Sequence, residues 1–347
     1  MASNVVGLDI GTTAVRAAEL SIRRGHVMLV HLGQVSLPRG AVVDGEVVDA
    51  EAVATAIRAL RRRASLRPRQ VVLGVANQQV VVRQVELPWM PPGELRRSLS
   101  FQAQDYLPIP IEDVELDFEV LAETEGQQGQ RLLRVLLVAA RKEMIAGHLR
   151  AVGRAGLRPI SIDLTPFALL RSLAPATTLS EGGEALVDIG ARITNVVVHQ
   201  NGAPRFVRIL LMGGHDVTDA LSARLSLELE DAELAKLAAS AGTADNPATT
   251  DVIDTNVATF IEEVRGSLDF YAVQPDAVGL ERVTISGGGS LLGPLAERLQ
   301  TALQLPVERA RTLASVRVGR LGLDPDQLAE LEPLSAIPVG LALGAVA

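Results

Sequence analysis

The sequence contains no cysteine, which excludes disulfides, thiolate metal sites and cysteine nucleophiles together. Aromatic residues make up only 3% of it, with a single tryptophan, so any local aromatic cluster stands out. Lysine is nearly absent: Lys142 and Lys236 are the only two, a skew that reads as genomic base composition. The net charge is −8 and no basic stripe is interleaved with aromatics, which argues against nucleic acid as a partner. No segment has the basic, apolar and small-residue regions of a signal peptide. The longest apolar runs, such as VLLVAA at 135–140, fall far short of the roughly 20 residues a membrane span needs. His26, His31, His148, His199 and His215 show no metal-ligand spacing, and no Gly-x-Ser-x-Gly elbow supports a serine hydrolase. These absences predict a soluble cytoplasmic protein.

What is present is ample apolar content: 347 residues, 48% hydrophobic, enough for a large core and more than one domain. Two stretches repeat. Residues 6–18 read VGLDIGTTAVRAA and residues 185–197 read ALVDIGARITNVV. Each Asp-Ile-Gly follows apolar residues and precedes a second strand-like run, so both predict β-hairpins with Asp, Gly and small or hydroxyl residues at the turn. Two copies, each near the start of one half of the chain, predict a duplicated domain with two facing loops. Backbone amides and the Thr12 and Thr13 hydroxyls can grip a polyphosphate. Asp9 and Asp188 can face each other across it and hold a hydrated Mg²⁺, which prefers hard oxygen ligands.

A third glycine cluster, ISGGGS at 285–290, follows the strand-like RVTI and precedes SLLGPLAERLQTAL, which has helical periodicity. This predicts a turn from strand to helix N-terminus, flat enough at Gly287–Gly289 to lie under a purine. It is neither a Walker loop nor a dinucleotide fingerprint, and close packing of helix on strand is the alternative reading. The pair Gly213-Gly214, followed by Asp216, predicts a strand, a turn and a helix N-cap. ISID at 160–163 predicts a strand leading into the helix TPFALLRSL, and AGTADNPATTDV at 241–252 a polar loop.

The order of the two Asp-Ile-Gly hairpins, MGG and SGGGSLLG resembles the actin-like ATPase superfamily. The block VELPWMPPGELRRSLSFQAQDYLPIPIEDVELDFEVL at 85–121 is similar to the PilM family of type IV pilus assembly proteins, relatives of the FtsA cell-division proteins. The resemblance runs along essentially the whole chain. It implies an α/β, actin-like (ribonuclease H-like, duplicated) fold, with two domains around a nucleotide cleft and an inserted FtsA-type 1C subdomain. The implied layout is 1A at 1–70, 1C at 71–149, 1A again at 150–182, 2A at 183–215, 2B at 216–258, 2A again at 259–334, and a C-terminal 1A helix at 335–347.

The resemblance further implies ATP and Mg²⁺ as cofactors. Asp9, Gly11, Thr12 and Thr13 match the first phosphate loop, with Arg16 standing where relatives commonly have a lysine; Asp188, Gly190 and Thr194 match the second, with Ala191 beside them as a further cofactor-binding candidate. Gly213 and Gly214 fall near ribose and phosphates, Glu263 on the helix that contacts the nucleoside, and Gly287, Gly288, Gly289 and Ser290 in the adenosine loop. Two departures stand out: the second loop reads Gly-Ala-Arg without hydroxyls, and Gly266 replaces an arginine usual in relatives. Hydrolysis needs a group that orients the attacking water. The position before Pro166, acidic in several relatives, is Thr165, which cannot act as a base near neutral pH. Asp163, alongside Asp188, is the remaining catalytic candidate, so nucleotide binding with slow or no turnover is expected.

Residues 85–111 concentrate Trp89, Phe101, Tyr106 and five prolines. They read either as the core of a small subdomain or as a peptide groove with a low ordering cost. In the family, the cleft between 1A and 1C receives the cytoplasmic N-terminal peptide of PilN, which implies Trp89, Tyr106 and Leu107 as its contacts. Membrane association would then run only through PilN, with pilus assembly and retraction ATPases as further partners, and a homo-oligomer is compatible with this reading. A small-molecule kinase of the superfamily and an FtsA-like filament former are the alternatives.

Overall fold

Two sheets of the same plan dominate the computed structural model, which describes residues 3–23, 26–126, 129–174, 180–243 and 246–345. The first is built from β1 (Ser3–Ile10), β2 (Ala14–Arg23), β3 (His26–Ser36), a small ribbon of β4 (Val42–Val43) and β5 (Glu46–Val47) beside it, α1 (Ala50–Arg63) and β6 (Gln70–Val75). An inserted unit follows: β7 (Val81–Pro88), α2 (Pro92–Ala103), β8 (Val114–Glu125) and β9 (Arg131–Arg141). The chain then returns through α3 (Lys142–Arg154), β10 (Arg158–Leu164) and α4 (Thr165–Leu173). The second sheet unit comprises β11 (Gly183–Ile189), β12 (Thr194–Gln200), β13 (Ala203–Leu210), α5 (Gly214–Leu225), α6 (Leu229–Ser240), α7 (Pro247–Ala272), β14 (Leu280–Ser286), α8 (Leu295–Leu303) and β15 (Val307–Arg309). Last come β16 (Arg317–Val318), α9 (Pro325–Leu331) and α10 (Ala336–Gly344).

Strand order is β10-β6-β1-β2-β3-β16 in the first sheet and β13-β12-β11-β14-β15 in the second. In each, a hairpin strand carrying Asp-Ile-Gly (β1 or β11) pairs antiparallel with its successor and parallel with a later strand. The internal repeat in the sequence is therefore a repeat of topology. One core lies between the second sheet and α5, α7 and α8, and another between the first sheet and α1 and α3. A third joins the two halves: Leu20 and Val72 of the first sheet and Leu186 and Val197 of the second share contacts with α4 and α10. Helix α10 is apolar all round and buried from Ala336 to Ala342, which suits a helix enclosed on every side.

Several boundaries differ from those expected. The inserted unit is the three-stranded sheet β7-β9-β8 with α2 on one face, so it spans 81–141 rather than 71–149. Strand β6 pairs with β1 and β10, and α3 packs against α1, placing both ends of that interval in the first unit. The first unit also resumes earlier than residue 335, since β16 pairs with β3 and Leu313, Val316 and Leu331 pack under α10. The described residues of 216–258 hold most of α5, all of α6 and the first turns of α7, which runs on to Ala272, so no boundary falls at 258. Of the polar stretch 241–252, residues 247–252 are already helix: Pro247 opens α7 and the Asn246 side chain accepts from Ala248 N at 3.0 Å, capping it. Residues 244 and 245 of that stretch, and 346–347 of the terminal helix, lie outside the described residues.

Candidate functional site

Asp9 and Asp188 occupy the same place in the two hairpins, each the last strand residue but one, opposite Arg16 and Asn195 respectively. Both turns close alike, with Gly11 N donating to Ala14 O at 3.0 Å and Gly190 N to Ile193 O at 2.9 Å. The turns face one another across a narrow space of about 80 Å³, lined by Asp9, Gly11, Thr12, Thr13, Arg16, Asp188, Gly190 and Ala191. Thr165 and Asn195 line it as well.

The electrostatics fit a cation. Burial pushes the Asp9 carboxyl above its ordinary value, and Arg16 Nη1, 3.5 Å from Oδ2, opposes this only in part. Asp188 is pushed up to about 6, by burial first and then by the Asp9 charge, against hydrogen bonds from Ser286 and Asn195 and the Arg16 charge. Two buried carboxylates, one pushed up further by the charge of the other, gain from a divalent ion between them. Among the described residues no group of three or more His, Cys, Asp or Glu could hold a metal. Protein carboxylates alone would thus supply few ligands, which suits Mg²⁺, an ion that keeps several waters and phosphate oxygens. The Arg16 Nε, buried without a partner, is a further unmet donor at the same place.

The glycines join loops. Gly214 N donates to Gly190 O at 3.0 Å and His215 N to Ala191 O at 2.8 Å, so the first amides of α5 hold the second hairpin turn. A Cβ at Gly213 would meet the Gly190 carbonyl and lie 2.8 Å from Ala191 C. Asp216 is at the third helical position, not at the cap, and its Oδ2 accepts from Gly213 N at 2.7 Å. Thr194 does not line the space; its hydroxyl donates to Met212 O at 2.9 Å and is spent tying β12 to the same junction. Gly287 has φ +80° and packs its backbone on Ile189, as does Gly289. Ser290 donates to Gly287 O at 2.6 Å and is buried, closing the loop upon itself. The glycine loop runs into a short 3₁₀ turn (288–291), and α8 begins only at Leu295, beyond Pro294. The expected strand-to-helix N-terminus is therefore absent, and close packing accounts for two of the three glycines.

A cavity of about 250 Å³ opens beside this junction, lined by Met212, Gly213, Val217, Asn256, Phe260, Gly289 and Leu292. Glu263 is exposed and does not line it; Asn256, Val257, Thr259 and Phe260, the preceding turns of α7, do. Lys236, marked in the sequence only by its rarity, belongs to the same junction. Its Nζ donates to Gly214 O (3.1 Å), Thr218 Oγ1 (2.9 Å) and Glu233 Oε2 (2.7 Å), buttressing the first turn of α5. Its rarity in so arginine-rich a chain was the available signal.

Asp163 is paired with Arg171, whose Nε donates to Gly340 O, so it neither caps α4 nor lines the space between the hairpins. Thr165 does line it: its hydroxyl donates to Asn195 Oδ1 at 3.2 Å, and Asn195 Nδ2 lies 3.5 Å from Asp188 Oδ2.

On the inserted unit, Tyr106 and Leu107 pack with Val85, Leu87 and Leu95 on the α2 face of its sheet. Trp89 sits at the end of β7 under Arg131, 4.2 Å from its guanidinium carbon, and its indole donates to Glu123 at 3.2 Å. The junction of this unit with the first sheet is closed by Val75, Met144, Leu164, Val82, Val138 and Phe167. The open groove is on the other sheet face, about 590 Å³, between β7 and β9 (Val82, Gln84, Leu136) and β13 and α7 (Phe206, Val207, Phe270). Polar ties span it, Gln84 Nε2 to Arg205 O at 3.2 Å and Arg134 to Asp276 at 3.0 Å. None of Trp89, Tyr106 and Leu107 lines it.

Among the described residues no helix is long and apolar enough to cross a membrane. A solved structure described as a PilM–PilN type IV pilus biogenesis complex has a TM-score of 0.88 and 32% identity, covering 99% of this chain and 98% of that one. EutJ from Carboxydothermus hydrogenoformans (TM-score 0.55, 18% identity, 98% and 89% covered) shares the fold. So does MreB5 of Spiroplasma citri, solved bound to ADP (0.51, 13%, 98% and 95%). The cell division protein FtsA of Streptococcus pneumoniae is 26% identical over 256 residues, 67% of this chain and 54% of that protein. FtsA of Bacillus subtilis is 26% identical over 254 residues, 67% and 57%. The chain thus spans a little over half the length of these curated relatives. The family described as type IV pilus assembly protein PilM matches residues 7–346, and with the two-hairpin cleft and inserted three-stranded unit in place, the chain belongs to that family.

Proposed function

We propose that the chain is an actin-like, ATP-binding scaffold of the type IV pilus assembly machine that captures the cytoplasmic N-terminal peptide of PilN. The observation that carries the nucleotide reading is the convergence of Asp9 and Asp188 on one narrow space walled by two phosphate-sized turns. Thr12 and Thr13 would bind phosphate oxygens, Arg16 would offset their charge, and Asp9 and Asp188 would hold Mg²⁺ through its waters. When bound, Mg²⁺ supplies the positive charge that offsets both the phosphates and the paired carboxylates. The base would enter the cavity at Asn256 and Phe260. Thr165, which lines the space, is not a base near neutral pH, and Asp163 is engaged by Arg171. Retention of ATP rather than rapid turnover follows.

The PilN reading rests on the family and on the 99% coverage of the PilM–PilN complex. Strand β7 is an edge strand of its sheet and β13 an edge strand of the second. An extended peptide can pair with such an edge through its main chain while apolar side chains enter the groove. Membrane attachment would then come through PilN. Family membership does not favour a kinase or a filament former. Calorimetric titration of a synthetic PilN N-terminal peptide, with and without Mg-ATP, tests the proposal. Micromolar binding that tightens with Mg-ATP is expected from linkage; no binding under either condition overturns the PilN reading.

A further inference from the structure

We propose that Arg39, Asp219 and Arg192 form a latch across the outer mouth of the cleft and, given the nucleotide-binding reading above, act as positioning residues that set how long nucleotide is retained. Arg39 lies in the turn after β3, and this turn is fastened to the first hairpin loop, because Leu37 N donates to Thr13 O at 2.8 Å. Asp219 lies on α5, one turn beyond the amides that hold Gly190 and Ala191. Arg192 is in the second hairpin turn itself. Arg39 Nη2 reaches Asp219 Oδ1 at 3.1 Å, and Arg192 pairs with the other oxygen, Oδ2, while also reaching Asp216 Oδ1 at 2.8 Å. One carboxylate is thus shared by two guanidiniums from opposite sides of the cleft. Partial burial pushes the Asp219 carboxyl up, but the two arginines outweigh this and hold it below its ordinary value.

The first hairpin turn reads Gly-Thr-Thr and the second Gly-Ala-Arg. The two copies have divided their work: hydroxyls for a ligand in one, and a guanidinium that joins the walls in the other. The walls are also tied at the floor, through Thr165 and Asn195, but that bond is buried. The mouth pair is open to solvent, with side-chain exposures of 56% for Arg39 and 36% for Asp219. Of the two ties it is the easier to break and remake, and it stands over the roughly 1170 Å³ vestibule that leads down to Thr12 and Thr13.

The test uses the full chain, whose lack of cysteine allows clean spin labelling. Labels at Val43→Cys and Leu234→Cys, both exposed on opposite walls of the vestibule, report its width. Without nucleotide, Arg39→Ala is expected to shift the label distances to longer, broader values, and Arg39→Lys to restore them. Release of a fluorescent ATP analogue should quicken by about 2- to 5-fold in Arg39→Ala, the scale of an exposed ion pair, and the difference should vanish at high salt. The Arg39→Ala/Asp219→Ala pair should release no faster than the quicker single variant. Unchanged distances, or release rates that multiply in the double variant, overturn the latch. Distances that respond in a wild-type background that binds no nucleotide overturn the nucleotide reading and leave the latch standing.

Discussion

Asp9 and Asp188 stand at equivalent register positions of two copies of one hairpin, and the charge on Asp9 helps push the Asp188 carboxyl up to about 6. The fold brings together two acids that repel, at the point where the family resemblance puts a metal and phosphates.

Mg-nucleotide binding should depend on pH. Because the folded-state pKa of Asp188 is raised, a proton competes with the cation below it. Affinity should be level above pH 7 and fall as pH drops through about 6. Titrations between pH 5 and about 8 check this; a flat profile would remove Asp188 from the metal's ligands.

The same shift has a stability consequence of opposite sense. A carboxylate whose pKa rises on folding costs stability above that pKa, and the cost shrinks as pH falls from about 6 towards the unfolded value of 3.8. Asp188→Asn should therefore stabilise the nucleotide-free protein at neutral pH by roughly 1–3 kcal/mol while weakening Mg-nucleotide binding. Urea melts, read beside binding curves, separate the two effects.

Gly213→Ala should damage the site without touching a charge. Its Cβ would press on Gly190 and Ala191, forcing α5 off the second hairpin turn. A loss of about 1–3 kcal/mol in stability, with weaker nucleotide binding, is expected. Retention of both would mean that the junction yields more easily than its hydrogen bonds suggest.

Asn195→Ala removes a buried amide that accepts from Thr165 and faces Asp188. Leaving the Thr165 hydroxyl without its partner should cost about 1–3 kcal/mol by denaturant melts. The paired change with Thr165→Val should cost less than the sum of the singles, since neither group is then stranded.

For the peptide, Phe270→Asp should abolish PilN binding and leave nucleotide affinity unchanged. Phe270 is 57% exposed in the groove, so the substitution spares the core. Trp89→Ala should change peptide affinity by less than about 2-fold, the size of a surface effect. The reverse pattern would return the peptide to the Trp89 end of β7.

The hairpins, their duplication and the strand and helix around Pro166 were legible in the sequence because each is a local pattern, whereas the inserted unit came from the resemblance and its ends, 81 and 141, from strand pairing. An apolar run ends on a carboxylate and a glycine turn, twice, and no packing detail is needed to see it. Glu263 shows where such reading fails. Helix α7 runs 26 residues, and only its packing against the second sheet decides that Asn256 and Phe260 line the cavity while Glu263 faces water. Thr194 and Asp163 fail for a related reason: a polar side chain beside a site is spent on whichever partner is nearer, Met212 O for one and Arg171 for the other. Tyr106, marked by composition, and Leu107, marked by the resemblance, lie in the turn just after α2 and pack with it on that face of the inserted sheet. The sequence by itself determined the two half-sites and the family. Tertiary structure decided which side chains face the shared space and which are consumed in holding it, because that depends on contacts between residues far apart in the chain, such as Arg39 and Asp219, 180 positions apart.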